Sequence, residues 1–397
     1  MNPELTPRVH GLDGALVEPD WPPLTLPEVR QLLAGFPHLG EPLEIAWTSP
    51  RPLSAAALVR TARGNFFVKR HHRSVRDRAG LREEHLFLDH LLARNVSVPR
   101  VLRDSRGETA IESGGWTYEV HASAPGFDLY ADAISWQPFT SAVHARSAGA
   151  ALARLHLASE SFPAPARKVQ PLVASFTIFA ADDPAAGMES YLRARPVLGG
   201  SSGAHRCAGR ALDLLAEFHA QLRPHLPHLQ SLWTHNDLHC SNLLWSDATQ
   251  HAQAAAIIDF GLADRTNLVH DLAHALERNV VEWLALVQRP DRPQDVPLHL
   301  DHLEALLDGY ESVRPLSAHE AAALAPMTAL CHAEFALSEA EYFLGSLHAE
   351  ERARLAYDGW LVGHAQWFHT ARGTSLLEGI RRWAVLHAGR PAGAVHP

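Results

Sequence analysis

The pattern of hydrophobic and polar positions changes along the chain. Between residues 43 and 120 it is β-like, beginning with the alternating Leu43, Ile45 and Trp47. Turn-forming Gly, Asn and Pro residues separate further predicted strands at 58–59, 66–69, 109–111 and 116–120. One long helical pattern, at about 78–94, interrupts them. We therefore predict a five-stranded, mostly antiparallel sheet with one main helix.

From residue 125 onward helical periodicity replaces the strand pattern. Helices are predicted at 142–158, 206–222, 270–287, 300–313, 318–347 and 352–370. Pro and Gly recur between 161 and 203, so no element is predicted there. The chain is thus of the α+β class, with a β-rich lobe at 41–122 and a larger helical lobe at 123–397.

Residues 1–40 are rich in Pro and read as an N-terminal extension with one short helix. Thr25-Leu26-Pro27-Glu28 fits a capping box with Pro in the first helical turn. Gly35 suits the end of this helix.

Composition narrows the function classes. The net charge of −9 argues against a nucleic-acid surface. Three scattered cysteines offer neither a disulfide framework nor a CxxC metal site. The sequence shows no membrane span and no signal peptide, so we expect a cytoplasmic protein. It does not predict an oligomeric state.

Two motifs carry chemistry. His235-Asn236-Asp237-Leu238 followed by Asn242 has the spacing of a kinase catalytic loop, and an apolar strand at 256–258 then leads into Asp259-Phe260-Gly261. Phosphoryl transfer needs one carboxylate at the acceptor hydroxyl, and oxygen ligands for Mg²⁺. Asp237 suits the first role, and Asn242 with Asp259 suits the second. The alternatives are ordinary turn and cap residues, or a zinc pair of His235 and His239, which lacks the Glu that zincin chemistry requires.

Lysines are scarce: the chain has only Lys69 and Lys168. Lys69 ends an apolar strand, where a lysine can reach the α- and β-phosphates of a nucleotide, and Glu84 on the following helix can pair with it. The alternatives are an exposed strand-end charge for Lys69, and Glu83 in place of Glu84.

Together these motifs resemble the aminoglycoside phosphotransferase and choline kinase-like family, which shares the protein-kinase fold. Further similarity lies in Leu152 to His156, in Asp271-Leu272-Ala273, and in Arg82-Glu83-Glu84 leading to Val98-Pro99. The resemblance covers about residues 41–370. It implies that Asp237 is catalytic and that Asn242 and Asp259 bind metal. It also implies structural support from His235, and from Asp271 as a buried acid bracing the catalytic loop; for Asp271 a plain helix N-cap is the alternative.

The sequence departs from protein kinases in two places. No Gly-x-Gly-x-x-Gly separates the first two strands, which leaves Ser49, Ser54 and nearby amides as candidate phosphate contacts. Only residues 262–270 separate Gly261 from Asp271, and no Ala-Pro-Glu follows, which favours a small-molecule acceptor over a protein. The adenine edge is expected between the lobes, on backbone near Val120, His121 and Ala122.

The predicted function is transfer of the γ-phosphate of ATP, with Mg²⁺, to a hydroxyl of an amino alcohol, amino acid or aminoglycoside-like sugar. An atypical protein kinase and a non-catalytic nucleotide-binding module are the alternatives. Several acids of the helical lobe are candidates to bind a cationic acceptor, although solvated helix faces explain each one singly: Asp128, Glu277, Glu282, Glu334, Glu339 and Glu341. Four aromatic residues are interpreted as core: Trp136, Trp283, Phe335 and Tyr342.

Overall fold

A computed structural model describes residues 9–10, 14–133 and 136–387. The chain divides into two compact units, Met1–Pro125 and Gly126–Pro397. No helix within the described ranges is both long and apolar enough to cross a bilayer.

The first unit is built on an antiparallel sheet with the strand order β3-β4-β5-β7-β6. Its elements are β1 (Val9–His10), β2 (Leu16–Val17), α1 (Leu26–Leu33), β3 (Pro42–Thr48), β4 (Ala55–Thr61), β5 (Gly64–His72), α2 (Arg78–Leu92), β6 (Ile111–Ser113) and β7 (Trp116–Ala122). The predicted sheet of five strands and its main helix are confirmed. Strand β6 overlaps the strand predicted at 109–111 only at Ile111, and residues 109–110 lie before it.

Helix α1 is fixed to this sheet, so the described part of the predicted extension packs within the first unit. The predicted capping box of Thr25 and Glu28 is confirmed. Glu28 also accepts hydrogen bonds from Tyr118 (2.7 Å) and Arg70 (2.6 Å) of the sheet. Val29 and Leu33 are buried in the same core as the sheet residues Val59, Val68 and Val120.

The second unit is mainly helical. Its helices are α3 (Ala142–Ser159), α4 (Pro184–Arg193), α5 (Pro196–Gly199), α6 (Ser202–Leu222), α7 (Leu268–Val280), α8 (Trp283–Gln288), α9 (Leu300–Glu311), α10 (Ala318–Leu330), α11 (His332–Glu341), α12 (Glu350–Arg354), α13 (His364–Trp367) and α14 (Ala371–His387). Two antiparallel strand pairs accompany them: β8 (Ser231–Thr234) with β11 (Asp264–Asn267), and the hairpin of β9 (Leu243–Trp245) and β10 (Ala254–Ile257).

The sequence patterns were wrong about several helix ends. The helix predicted at 270–287 is α7 and α8. The helix predicted at 318–347 is α10, α11 and a π-helical turn at Tyr342–Ser346, and a second π-helical segment at Leu355–Gly363 divides the helix predicted at 352–370. Hydrophobic periodicity does not reveal where the backbone leaves the α-helical hydrogen-bond pattern, so these breaks were missed, as were α4 and α14.

Helices α3 and α9 pack in unusually close contact through two glycines. A Cβ atom on Gly149 would collide with the carbonyl of Leu306, and one on Gly309 would collide with the carbonyl of Arg146. Since backbone cannot move aside as a flexible side chain can, both positions require glycine. This contact holds α3, which carries His156, against the rest of the unit.

We expect Gly309→Ala to lower the free energy of unfolding by about 1–3 kcal/mol or more, because an inserted methyl group in a tight contact forces the backbone apart. Chemical denaturation measures the change. Gly209→Ala is the matched control: Gly209 lies on an exposed face of α6 with no atom within 4 Å of the new Cβ. Alanine has the higher helix propensity, so the control gains up to about 1 kcal/mol. Equal stability of the two variants would contradict the close-contact account.

Candidate active site

The segment after β8 is held by a buried carboxylate from α7. Asp271 is fully buried and accepts hydrogen bonds from the backbone N–H groups of His235 (2.8 Å) and Asn236 (2.7 Å). His156 of α3 donates to the same carboxylate at 3.0 Å. The N-cap of α7 is Asn267, so Asp271 does not have the plain capping role that was its alternative.

The charge of Asp271 is stabilised by these donors. Burial would raise its pKa, but the hydrogen bonds from His156 and from the His235 backbone lower the pKa to about 2. Asp271 therefore stays ionised and holds the loop at neutral pH.

Asn236 gives the loop its sharp turn. Its φ of 61° lies in the left-handed region, which Asn tolerates better than most residues. Its side-chain oxygen accepts hydrogen bonds from Thr234 (2.9 Å) and His270 (3.2 Å). Sequence reasoning did not assign this residue a role, although its place between His235 and Asp237 marked it as part of the loop.

His235 links the two motifs. Its Nε2 lies 3.0 Å from the carbonyl of Ile258 and its Nδ1 accepts the N–H of Asp237 at 3.2 Å, so the proton resides on Nε2. Its ring meets the edge of Phe260, with centroids 4.7 Å apart. Burial lowers the pKa of His235, which keeps the ring neutral. Because both nitrogens are engaged, the zinc-pair alternative does not fit His235.

Asp237 and Asn242 form the centre of the site. The Asn242 side-chain amide donates to the Asp237 carbonyl (2.9 Å) and to Asp237 Oδ2 (3.1 Å). Its nitrogen is thereby committed, so the amide oxygen is the atom that remains for another ligand. Asp237 is partly exposed, so a small molecule can reach it.

Asp259 lies at the same end of the β9–β10 hairpin as Asn242. The N–H of Ile258 donates to the Asn242 carbonyl at 2.9 Å, which places Asp259 one residue beyond this pair. Asp259 is exposed and has a left-handed φ of 59°. A carboxylate and an amide oxygen on neighbouring strand ends are the hard oxygen ligands that Mg²⁺ prefers, so the donor set fits this ion.

Arg278 is a site residue that sequence reasoning missed. It is buried, it forms an ion pair with Asp237 Oδ1, and its guanidinium lies 4.8 Å from the centroid of the Phe335 ring. Burial lowers the pKa of Arg278 to about 10, so it remains a cation at neutral pH. The available signal was its spacing of seven residues from Asp271, which puts both on one face of α7.

A pocket opens beside Arg278. It is lined by Trp136, Glu277, Arg278, Trp283, His332, Phe335, Ala336, Trp360 and His364. Trp283 and Tyr342 are buried, as interpreted, whereas Trp136 and Phe335 are only partly buried. Trp136, Trp283 and Phe335 all line this pocket. Of the proposed acids, Glu277 lines the pocket.

Other acids from the same group have structural contacts. Glu334 accepts hydrogen bonds from Ser175 and from the backbone N–H groups of Thr177 and Ile178, which fixes the segment before α4. Glu341 pairs with Arg195 at 2.9 Å. These contacts occupy both carboxylates within the fold.

In the first unit, Lys69 is half-buried on β5 and lies opposite Glu119 of β7 in the sheet register. Glu84 is buried on α2. Ser49 and Ser54 flank the β3–β4 loop, where Ser49 Oγ accepts the N–H of Arg51 at 3.2 Å.

The backbone predicted to meet the adenine is already paired. The carbonyl of Val120 accepts the N–H of Leu102 at 2.7 Å, and the N–H of Ala122 donates to Arg100 at 2.9 Å. The His121 side chain is bound to Glu119 at 2.9 Å. Pairing by residues 100–102 was not predicted, because Pro99 marked only the end of a helical pattern. The Val120 carbonyl and the Ala122 N–H therefore already have partners within the fold.

Glu119 is the centre of a buried cluster. His71, His85 and His121 each direct Nε2 to its carboxylate, at 3.0, 2.8 and 2.9 Å. Burial would raise the Glu119 pKa, but His121 foremost holds it well below its usual range. The Nδ1 atoms of His85 and His121 have no partner, and metal-bound histidines normally donate through their second nitrogen. Hydrogen bonding therefore explains the cluster better than a metal ion does.

Comparison with known proteins identifies the family of the chain. The phosphotransferase enzyme family model matches residues 53–316. A homoserine kinase from Methylobacterium radiotolerans is 30% identical over 240 residues, which are 60% of this chain; the chain spans only 61% of that relative.

One solved structure has a TM-score above 0.5 and supports the fold. A microcompartment-associated aminopropanol kinase has a TM-score of 0.57 at 18% identity, covering 89% of this chain and 100% of its own. An aminoglycoside phosphotransferase from Alicyclobacillus acidocaldarius has a TM-score of 0.45 at 18% identity, covering 87% and 94%. With the family model matching more than half of its length, the chain belongs to the phosphotransferase enzyme family.

Proposed function

We propose that the protein transfers the γ-phosphoryl group of ATP to a hydroxyl group of a small molecule. The observation that carries this proposal is Asp237, which is oriented by Arg278 and Asn242 on a loop braced by Asp271. A carboxylate held through both oxygens in a partly exposed position is arranged to receive a hydroxyl group.

Asp237 would accept the proton of the acceptor hydroxyl as the oxygen attacks the γ-phosphorus in line with the departing ADP. Asn242 and Asp259 would hold Mg²⁺, which supplies charge neutralisation at the phosphates. Lys69 would bind the α- and β-phosphates, Glu84 would orient Lys69, and Ser49 and Ser54 are the proposed further phosphate contacts. The buried Asp271 and His235 would contribute by holding the loop, and thereby Asp237, in position.

The pocket beside Arg278 is the proposed acceptor site. Its aromatic walls and the Glu277 carboxylate suit a small molecule with an amine, which includes amino alcohols, amino acids and aminoglycoside-like sugars. The homoserine and aminopropanol kinases are named for compounds that combine a hydroxyl group with an amine.

A protein acceptor is less consistent with the fold. Within residues 262–270, β11 pairs with β8 and leads directly into α7. This short, paired segment offers no platform for a peptide. A module that only binds nucleotide would not need Asp237 oriented by two donors.

The function is tested by measuring Mg²⁺-dependent ADP formation with a panel of amino alcohols, amino acids and aminoglycosides. We expect at least one class to raise ADP formation well above the rate with ATP alone, with phosphate recovered on the acceptor. Phosphate recovered only on protein, or no transfer to any class, would contradict the proposal.

We expect Lys69→Ala to lower kcat/KM for ATP by about 10–100-fold, which corresponds to the loss of a charged hydrogen bond. Steady-state kinetics with varied ATP measures the effect. Lys168→Ala is the control, because Lys168 is the second lysine of the chain and is exposed in the other unit. An equal effect of the two substitutions would remove Lys69 from nucleotide binding.

A further inference from the structure

Buried polar atoms without a hydrogen-bond partner gather around the acceptor pocket. Among its lining residues they are Arg278 Nε, Trp360 Nε1, His332 Nδ1 and both ring nitrogens of His364. Arg278 and Trp360 are 2% and 4% exposed, so bulk solvent barely reaches them. Native proteins rarely leave buried polar groups unpaired, and several around one pocket indicate a missing ligand.

The chemistry of these atoms indicates which ligand groups they bind. The Arg278 and Trp360 nitrogens can only donate, and a neutral His364 adds one N–H. Arg278 meets Asp237 through Nη1, whereas its Nε lies 3.5 Å from Glu277 Oε1 and makes no hydrogen bond. Three donors, one of them charged, suit a carboxylate.

Glu277 provides the opposite charge. Its carboxylate is buried, and its nearest cationic or imidazole nitrogens, Arg278 Nε and His274 Nδ1, both lie 3.5 Å away. His332 Nε2 faces the Leu361 carbonyl at 3.2 Å and therefore carries the proton, which leaves Nδ1 as an acceptor. The Glu277 carboxylate and His332 Nδ1 are thus two hydrogen-bond acceptors in a pocket that Trp283 and Phe335 also line. Such a combination suits an ammonium group.

We infer that the acceptor is a zwitterionic hydroxy amino acid, whose carboxylate binds Arg278, Trp360 and His364 and whose ammonium group binds Glu277. This inference rests on the proposed phosphotransferase function and selects one of its acceptor classes. Arg278 contacts both the pocket and Asp237, so the residue that binds the carboxylate also orients the proposed base. Trp360 lies in the π-helical segment Leu355–Gly363, and such segments occur frequently at functional sites.

The experiment compares hydroxy amino acids with the amines that remain when the carboxylate is removed. The pairs are serine and ethanolamine, homoserine and 3-aminopropan-1-ol, and threonine and 1-aminopropan-2-ol. We expect kcat/KM for the best amino acid to exceed that for its amine at least about 10³-fold, because a site built to hydrogen-bond a group strongly rejects analogues without it. Transfer to the amines or to aminoglycosides at equal or higher kcat/KM would overturn the inference while leaving the phosphotransferase function intact.

Two variants locate the discrimination. Trp360→Phe keeps an aromatic ring but removes the N–H donor, and we expect it to reduce the amino acid to amine ratio about tenfold. Trp383→Phe removes an N–H that donates to Asp308 at 2.9 Å, outside the pocket lining, and is expected to leave the ratio unchanged. An unaltered ratio in Trp360→Phe would show that its donor does not bind the carboxylate.

Binding measured without ATP distinguishes the inferred zwitterionic ligand from the proposed phosphotransferase function. Calorimetric titration of the wild-type protein with homoserine and with 3-aminopropan-1-ol is expected to show the same preference. If homoserine binds preferentially but no compound becomes phosphorylated, the pocket assignment stands and the phosphotransferase function fails. If neither compound binds and no amino acid is phosphorylated, the zwitterion inference fails.

Discussion

Asp237→Asn is expected to lower kcat by about 10²–10⁴-fold, the usual contribution of a positioned general base. The amide keeps the shape of the side chain but cannot accept the hydroxyl proton. Because Asn242 and Asp259 are unchanged, we expect ATP to bind with nearly the wild-type affinity. Single-turnover kinetics and ATP titration by calorimetry distinguish these two effects.

The same substitution has a structural cost that the activity measurement must account for. Arg278 is buried and would lose its charged partner, so we expect unfolding to become about 1.5–3 kcal/mol easier. Denaturation of the variant shows whether it remains folded under assay conditions. Asp301→Asn removes an exposed carboxylate and is the control, with activity and stability expected to remain unchanged. Full activity in folded Asp237→Asn would exclude Asp237 as the base.

The grouping of the candidate site residues Asp237, Asn242 and Asp259 could be predicted, because it follows from short-range order along the chain. Asp237 and Asn242 are five positions apart on one loop, and Asp259 ends the next strand of the same hairpin. Spacing alone therefore brings them together once the hairpin forms. Asp271 was found in the same way, from its place in a local motif.

The proposed acceptor pocket could not be predicted, because tertiary packing assembles it from separate elements. Glu277 and Arg278 come from α7, Phe335 comes from α11, and Trp360 comes from a π-helical segment. Each of these residues fits an ordinary helix pattern by itself. That they line one pocket becomes visible only in the packed structure. The pairing of residues 100–102 with β7 is likewise a tertiary contact that local sequence patterns do not show.

Acid is expected to destabilise the fold strongly, because buried histidines must remain neutral. Burial lowers the pKa of His71, His235, His270, His332 and His364, that of His332 to about 4. In the unfolded chain these groups titrate near 6.5. Below that pH the unfolded state therefore binds protons that the folded state does not, so stability is complete above pH 6.5 and is lost as the pH falls towards the folded values. For His332, whose pKa falls to about 4, the loss of stability between pH 8 and 5.5 is about 1 kcal/mol, and the other four histidines change the stability in the same direction. Urea denaturation at several pH values measures the slope, and His251→Asn, at an exposed position, should leave it unchanged. A free energy of unfolding that stays constant down to pH 5.5 would show that these histidines accept protons in the folded state as readily as in the unfolded chain.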